Sequence, residues 1–401
     1  MAAQNPLEIQ ELLDHCISFL AHSTPDLISC ASVARPWVQP AQSNLFRCPV
    51  FDARAIEKFY HALEASPHLA AYVQELDLNF HHHGIEPTFH ALCGLPFPQL
   101  EILHLNFGRV FWHPNSPHRI QQMLRLLTSP RLRYVSLDAY WARGESCAHM
   151  LSNCSLTIQH LYLDGGRWEA ESISYDLLRN SFKSLHLHVA DFDSDFPGAS
   201  DRPAQSFPFD SSNLEALAIS GESIPWNTIC KTKIQILSLE KLVIYLSTHL
   251  RFFGKQGSTD LNLALFPRLH MLLLDLDKWA VPDVLAMLRT INSENTIRTI
   301  VVSVYTDQTD ELELNMHMEA LDGALSSLSL TCLSTVEVEH VYWGRQPPDD
   351  VARLRDHFPR SLARNLLRLS ARNHDSKAKR WQNIYFKLAI NVWLRGWPWA
   401  L

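Results

Sequence analysis

An apolar motif of the form L-x-x-L-x-L recurs along most of this chain of 401 residues. The copies are Val73/Leu76/Leu78, Leu100/Leu103/Leu105, Leu132/Val135/Leu137, Ile158/Leu161/Leu163, Phe182/Leu185/Leu187, Leu214/Leu217/Ile219, Ile234/Leu237/Leu239, Leu269/Leu272/Leu274, Ile297/Ile300/Val302 and Leu333/Val336/Val338. The alternation in the second half of each copy predicts a strand with one buried face. Because one strand and its return segment cannot bury an apolar face alone, neighbouring copies must stack side by side.

Successive copies lie roughly 20 to 36 residues apart, which is centred on the spacing of leucine-rich repeats. We therefore expect an α/β fold, with helices at the N-terminus followed by a solenoid of parallel strands on a concave face and helices outside. The predicted boundaries are 5–48 for the helical unit, 50–348 for the solenoid and 349–401 for a basic helical cap. Such a concave surface binds partners more often than it performs chemistry.

The composition excludes several classes of protein. No basic segment followed by an apolar run marks a secretory signal near the N-terminus. The sequence also lacks a run of about 18 apolar residues, so no membrane span is expected. The 8 cysteines are scattered and form no C-x-x-C pair. Unpaired cysteines in apolar surroundings are typical of a cytoplasmic or nuclear protein.

The net charge of −7 is unevenly distributed along the chain. Residues 351–401 contain eleven Lys and Arg against two Asp and Glu, while the rest of the chain is acidic. An apolar stripe runs through this basic region at Trp381, Ile384, Tyr385, Leu388, Val392 and Trp393, and it ends before Gly396 and Pro398. The stripe predicts a helix that covers the last repeat. A peptide-binding helix is the alternative, and nucleic acid is not an expected partner.

The first fifty residues predict a small helical unit. Apolar residues follow a near-helical spacing at Leu7, Ile9, Leu12, Leu13, Ile17 and Leu20. The run from Ser23 to Asp26 ends this helix and begins the next, because proline is favoured at a first helical position. Pro36 is predicted to end the second helix, and Trp37 follows it.

These residues resemble an F-box. The matching elements are Pro6-Leu7-Glu8-Ile9, Leu12-Leu13, Ile17, Phe19-Leu20, Pro25-Asp26-Leu27, Cys30, Val33-Ala34-Arg35, Trp37, Ala41-Gln42 and Leu45-Phe46-Arg47. Together with the repeats, they make the chain similar to fungal-type F-box substrate receptors of SCF ubiquitin ligases. The sequence departs from the family at Asn5-Pro6-Leu7, where Leu-Pro is usual, and at Pro40, which falls within the expected last helix.

The resemblance implies that the helical unit binds the adaptor subunit, which links F-box proteins to a cullin. It assigns adaptor contacts to Pro6, Leu7, Ile9, Leu12, Leu13, Ile17, Leu20, Leu27, Val33 and Trp37. Any of these residues could instead pack the three helices together. A unit of this size cannot hide all its apolar side chains, which favours a partner.

Positions that flank the strand leucines should line the concave face. We predict target contacts in the middle repeats at Tyr134, Asp138, His160, Tyr162, Asp164, His186 and His188. Tyrosine and histidine supply contact area, and the acids favour a basic target. In the seventh copy the same reasoning selects Ile236, Ser238 and Glu240. An alternative target surface is the apolar one around Met271 and Leu273.

The sequence contains no phosphate-binding loop, nucleophile elbow or zinc-protease motif. The string His81-His82-His83 lacks further ligands at a usual spacing, and Asp191-Phe192-Asp193 begins a calcium loop that is not completed. We predict no cofactor, no metal and no enzymatic activity. The expected function is that of a substrate receptor that binds an adaptor and a protein target. The alternatives are a repeat scaffold outside ubiquitin ligation and, least favoured, a metal enzyme using His186, His188 and His160 or Asp164.

Overall fold

The computed structural model describes residues 10–21, 23–49, 55–79, 86–108, 125–139, 154–164, 167–168, 182–189, 191–192, 213–221, 238–246, 261–277, 281–306, 311–328, 330–342, 350–365 and 367–373. The chain divides into two compact units, Met1–Gly166 and Arg167–Leu401.

The first unit begins with helices and continues with strands. Its described α-helices are α1 Gln10–Ser18, α2 Thr24–Val33, α3 Arg35–Leu45, α4 Ala55–Ala65 and α5 Glu86–Cys93, and a 3-10 helix spans Pro67–Tyr72. Its strands are β1 Glu75–Asn79, β2 Ile102–Gly108, β3 Tyr134–Ala139 and β4 His160–Asp164. Strand β1 pairs with β2, β2 with β3 and β3 with β4, all in parallel.

The second unit repeats a strand and its return segment. Its strands are β5 Arg167–Trp168, β6 Ser184–Val189, β7 Asp191–Phe192, β8 Ala216–Gly221, β9 Lys241–Leu246, β10 Met271–Asp277, β11 Thr299–Thr306, β12 Thr335–Tyr342 and β13 Leu367–Asn373. Its described helices are a 3-10 turn at Leu263–Leu265, α6 Val281–Leu288, α7 Glu311–Ser327, α8 Asp350–His357 and α9 Pro359–Ala363. Strands β5 and β7 form a separate parallel pair, and the others pair in parallel in chain order.

The register of the strands aligns the repeated motif. Leu76 pairs with Leu103, and Leu103 pairs with Val135. All three side chains are fully buried. Before β2 to β4 and β8 to β12, one carbonyl of the preceding repeat accepts two backbone N–H groups: the Gln74 carbonyl accepts those of Glu101 and Ile102, at 2.8 and 3.0 Å. The predicted α/β class with parallel strands is therefore confirmed, because the apolar alternation and the backbone ladder select the same register.

One repeat differs from the prediction in its register. Strand β9 begins at Lys241, and the buried residues of its motif are Leu239, Leu242 and Ile244. The predicted copy Ile234/Leu237/Leu239 is therefore wrong, because Leu239 is the first and not the last residue of the motif. The alternate strand positions predicted for Ile236, Ser238 and Glu240 are occupied instead by Lys241, Val243 and Tyr245. Two overlapping apolar series allowed both readings.

The structure also corrects the predicted helical cap of 349–401. Residues 350–373 contain α8, α9 and β13, and β13 adds one more parallel strand beside β12. The motif search missed this repeat because Arg364 stands at its first apolar position, ahead of Leu367 and Leu369. The Arg364 guanidinium instead donates to the carbonyls of Ser326 and Leu328, at 2.9 and 3.2 Å. The predicted stripe from Trp381 to Trp393 lies outside the described residues.

Candidate functional site

Helices α1 to α3 share a small core of their own. It consists of Leu13, Ile17, Leu27, Cys30 and Ala41, with Leu20, Ala31, Trp37 and Leu45 packed against it. Leu13, Ile17 and Leu27 are therefore packing residues in this structure, although each was an expected adaptor contact. Helix α2 ends at Val33, and Pro36 lies in the first turn of α3, which begins at Arg35. The prediction that Pro36 ends the second helix is therefore wrong by two residues. Pro40 lies inside α3 and is buried.

Four large apolar side chains within residues 12–33 are exposed to solvent. Leu12 is 44% exposed in α1, Phe19 is 72% exposed just after it, and Ile28 and Val33 in α2 are 58% and 64% exposed. We call these four residues the exposed apolar set. Leu12 and Val33 were predicted adaptor contacts, and Leu20 and Trp37 are half-buried.

The remaining members of the set were not predicted as contacts. Phe19 stands in the F-box-like element Phe19-Leu20, just after α1, and Ile28 lies in α2 beside the buried Leu27. The expected contacts Pro6, Leu7 and Ile9 lie outside the described residues. Around the set, residues 10–34 contain the exposed acids Glu11, Asp14 and Asp26 and no lysine or arginine.

The helical unit continues directly into the strand ladder. The carbonyl of Arg47, two residues past α3, accepts the backbone N–H groups of Gln74 and Glu75 at 2.9 and 3.0 Å. This is the arrangement that joins one repeat to the next. The rings of Phe46 and Phe59 also stack, with centroids 5.9 Å apart. Residues 46 and 47 therefore precede β1 in the way that one repeat precedes the next strand.

Polar and aromatic residues line the other face of β1 to β4. In the strand register, Tyr134 is the partner of His160, and Ser136 is the partner of Tyr162. The ring of Tyr134 lies between two imidazoles, with its centroid 5.3 Å from that of His104 and 6.4 Å from that of His160. We call His104, Tyr134 and His160 the ring stack.

The ring stack is less accessible than the sequence suggested. Tyr134 is 8% exposed and His160 is 5% exposed, so the expectation that both present contact area to a target is corrected. Tyr162, in the next row, is half-buried and retains accessible surface. The rings cover one another because they lie on neighbouring parallel strands: the Tyr134 ring is tilted against that of His104 and stacked on that of His160.

The other predicted target residues are placed only by their backbone. Asp138 in β3 and Asp164 in β4 are directly paired in the register. His186 and His188 belong to β6 in the second unit. The side chains of these four residues lie outside the described ones, and so does the string His81-His82-His83.

Burial sets the charge of the polar groups near β1. It raises the pKa of the Cys48 thiol to about 12, and the carboxylate of Glu75 adds to this effect. Burial also raises the pKa of Glu75, against the lowering effect of its hydrogen bond with Cys48. The pKa of His104 is lowered by burial to about 4, and its Nε2 lies 3.8 Å from Oε1 of Glu75. Near neutral pH the thiol is therefore protonated and the imidazole neutral, which suits packing and binding better than nucleophilic chemistry.

Within the described ranges, no three His, Cys, Asp or Glu residues are placed to hold a metal ion together. The described helices include none with the length and apolar character needed to cross a membrane. The fold thus defines an α/β protein built on parallel strand repeats. No protein-family model matches this chain, and no curated protein matches it.

Proposed function

We propose that this chain is a non-catalytic substrate receptor of an SCF-type ubiquitin ligase. In this proposal, α1 to α3 bind the adaptor, the adaptor connects to a cullin, and the strand repeats hold a protein target. The observation that carries the proposal is the exposed apolar set on helices α1 to α3, which already have a buried apolar core of their own. Apolar side chains of this size gain free energy when a partner removes them from water.

The proposed adaptor contacts are Leu12, Phe19, Ile28 and Val33, with Leu20 and Trp37 at half-buried positions. Leu13, Ile17 and Leu27 support this surface from inside. Pro6, Leu7 and Ile9 remain proposed contacts through the resemblance to an F-box. A partner for this surface must offer apolar area and accommodate the nearby Glu11, Asp14 and Asp26.

The receptor would act through proximity. Holding a target near the transferring subunits raises its effective concentration, and no other catalytic contribution is needed from this chain. We propose that Tyr162 makes direct target contacts and that Tyr134 and His160 support it from the ring stack. Asp138, Asp164, His186 and His188 stay proposed target residues, and the acids favour a basic segment. A reducing compartment, the cytoplasm or the nucleus, fits the free cysteines among the described residues.

A second candidate is a repeat scaffold without a part in ubiquitin ligation. The two hydrogen bonds that the Arg47 carbonyl accepts favour the scaffold, because an N-terminal cap of a solenoid would accept the same two bonds. A cap has no need for four exposed large apolar side chains, and we therefore prefer the receptor.

Capture of the purified adaptor separates the two candidates. The full chain should bind the adaptor, and Phe19→Asp or Leu12→Asp should abolish binding while the fold persists. Gln39→Asp is the matched control, because it places the same charge on an exposed position of α3. Absence of binding by the unmodified chain, or equal binding by Phe19→Asp and Gln39→Asp, would favour the scaffold.

A further inference from the structure

Strand β13 is at an edge of the ladder that the described strands form. It pairs in parallel with β12 along its whole length, and among the described strands it has no second neighbour. Backbone N–H and C=O groups point alternately to the two sides of a strand, so one half of these groups in β13 faces away from β12. A strand with this geometry is a template for pairing with a further strand.

The apolar side chains of β13 have less cover than their counterparts. Leu367 and Leu369 occupy the second and third motif positions, and both are only half-buried. The equivalent residues of β12, Val336 and Val338, are 1% and 0% exposed. Across the earlier repeats, every described residue at these two positions is between 0% and 2% exposed. An added strand would supply the apolar contact that these two leucines lack.

The surroundings of β13 are basic, in contrast to the acidic chain as a whole. Residues 357–373 contain four arginines and no aspartate or glutamate. Arg368 is exposed in β13, and Arg372 occupies a position on the same face of the strand. Because opposite charges on facing strand positions attract and like charges repel, a segment that adds to β13 should present acidic residues there.

Strand β12 shows which sequence fits beside β13. In the register, Glu337 is the partner of Arg368 and Val338 is the partner of Leu369. Strand β12 thus places an acid next to the arginine and an apolar residue next to the leucine. A strand on the opposite side of β13 would meet the same alternation, since successive side chains of β13 lie on opposite faces and both neighbours share those faces.

We propose that β13 binds an extended segment of a partner protein in which acidic and apolar residues alternate, and that the segment joins the ladder as an added strand. Backbone hydrogen bonds supply the affinity in this mode of recognition, and the alternating side chains supply the specificity. The apolar residues of the segment cover Leu367 and Leu369, and its acids lie beside Arg368. This surface has the opposite charge preference to the target positions proposed on β1 to β4. It does not depend on the proposed ligase function.

Binding of synthetic peptides to the full-length protein tests the charge preference. The first probe copies Thr335–Tyr342, and the second has lysine in place of both glutamates. The unmodified protein should bind the first probe about fivefold more tightly than the second, and Arg368→Glu should reverse this order. Arg355→Glu is the matched control, because it makes the same charge change at an exposed position of α8, and it should keep the original order.

Backbone methylation of the first probe tests whether the peptide adds as a strand. Methylating the nitrogens of one alternate set of its residues should abolish binding, and methylating the other set should have little effect, because only one set faces β13. Equal losses from both sets would overturn the proposal, since the peptide would not be paired as a strand.

Three further outcomes would also overturn it. The first is that the unmodified protein binds neither probe, which would show that the edge of β13 is not accessible. The second is that Arg368→Glu and Arg355→Glu keep the same order of preference. The third is a dimer of the unmodified chain in light scattering that becomes a monomer in Arg368→Glu, because a second copy would then occupy this edge.

Discussion

The carboxylate of Asp322, in α7, accepts hydrogen bonds from the backbone N–H groups of Arg360 and Ser361 at the start of α9, at 3.0 and 2.8 Å. Asp322 is 2% exposed, so its charge is removed from water and balanced by these two donors. The first N–H groups of a helix have no partner within the helix, and a carboxylate suits them. One side chain thus joins the return segments of two successive repeats.

Replacing Asp322 by alanine should lower the free energy of unfolding by about 1–3 kcal/mol, because two buried donors lose their acceptor. Denaturant unfolding measures the change. Glu319→Ala is the control, since Glu319 is exposed in the same helix and should change stability by less than about 0.5 kcal/mol. Equal effects of the two variants would show that the cap contributes nothing.

Asn295 connects its repeat to the preceding one in a similar way. Its amide nitrogen donates to the carbonyls of Leu263 and Phe266 at 2.9 and 3.2 Å, and its side-chain oxygen accepts from the N–H of Asn292 at 2.9 Å. Asn295→Ala leaves these buried groups unsatisfied and should cost about 1–3 kcal/mol. The exposed neighbour Ser293 provides a control in Ser293→Ala, and unfolding curves that coincide would contradict the expectation.

The buried imidazole of His104 makes stability depend on pH. Its pKa of about 4 in the folded protein lies below the ordinary 6.5, so the unfolded chain binds the proton more readily. Its contribution is complete above pH 6.5 and is lost as pH falls toward 4. At pH 5 the loss should be about 2 kcal/mol relative to neutral pH.

Unfolding at pH 7.5 and pH 5 in the unmodified chain and in His104→Gln measures this contribution. Burial raises the pKa of Glu75, which acts in the opposite sense, because the folded protein then binds this proton more readily than the unfolded chain. Glu75 is present in both proteins, so the difference between them isolates the imidazole. A His104→Gln variant with the same loss of stability as the unmodified chain would contradict the assignment.

Substitutions of the adjacent residues Leu12 and Leu13 should differ in their effects on stability and on adaptor capture. Leu13→Ala removes a fully buried side chain and should cost about 2–5 kcal/mol of stability. Leu12→Ala changes an exposed one and should alter stability by less than about 1 kcal/mol while weakening adaptor capture. Thermal unfolding and a capture assay on both variants would check this. A large stability loss in Leu12→Ala would mean that the surface is part of the core.

Target capture should depend on Tyr162 and on ionic strength. Tyr162→Ala with His186→Ala should weaken capture, and adding salt should slow association more than it speeds dissociation, because opposite charges steer the encounter. The control is Gln159→Ala, just before β4. Full capture by the double variant, with little salt dependence, would move the target to the surface around Met271. Leu273 is a poorer contact there than the sequence suggested, since it is buried.

The repeated motif alone was sufficient to predict parallel strands in this α/β fold. A leucine at each inward position makes only one register bury the apolar face, so local pattern and tertiary packing agree. The motif search failed at β9, where two apolar series overlap, and at β13, where Arg364 replaces the first apolar residue.

The accessibility of the candidate surfaces was decided only in three dimensions. The apolar stripe of α1 contains both Leu12 and Leu13, and its spacing does not distinguish them. The position of α3 determines which of the two is buried. Tyr134 and His160 alternate with leucines as surface residues do, yet ring contacts across three strands bury them. Sequence period fixes which face of a strand a residue occupies, because backbone geometry is local. The fraction of that residue left in water depends on side chains distant in sequence, which the period does not encode.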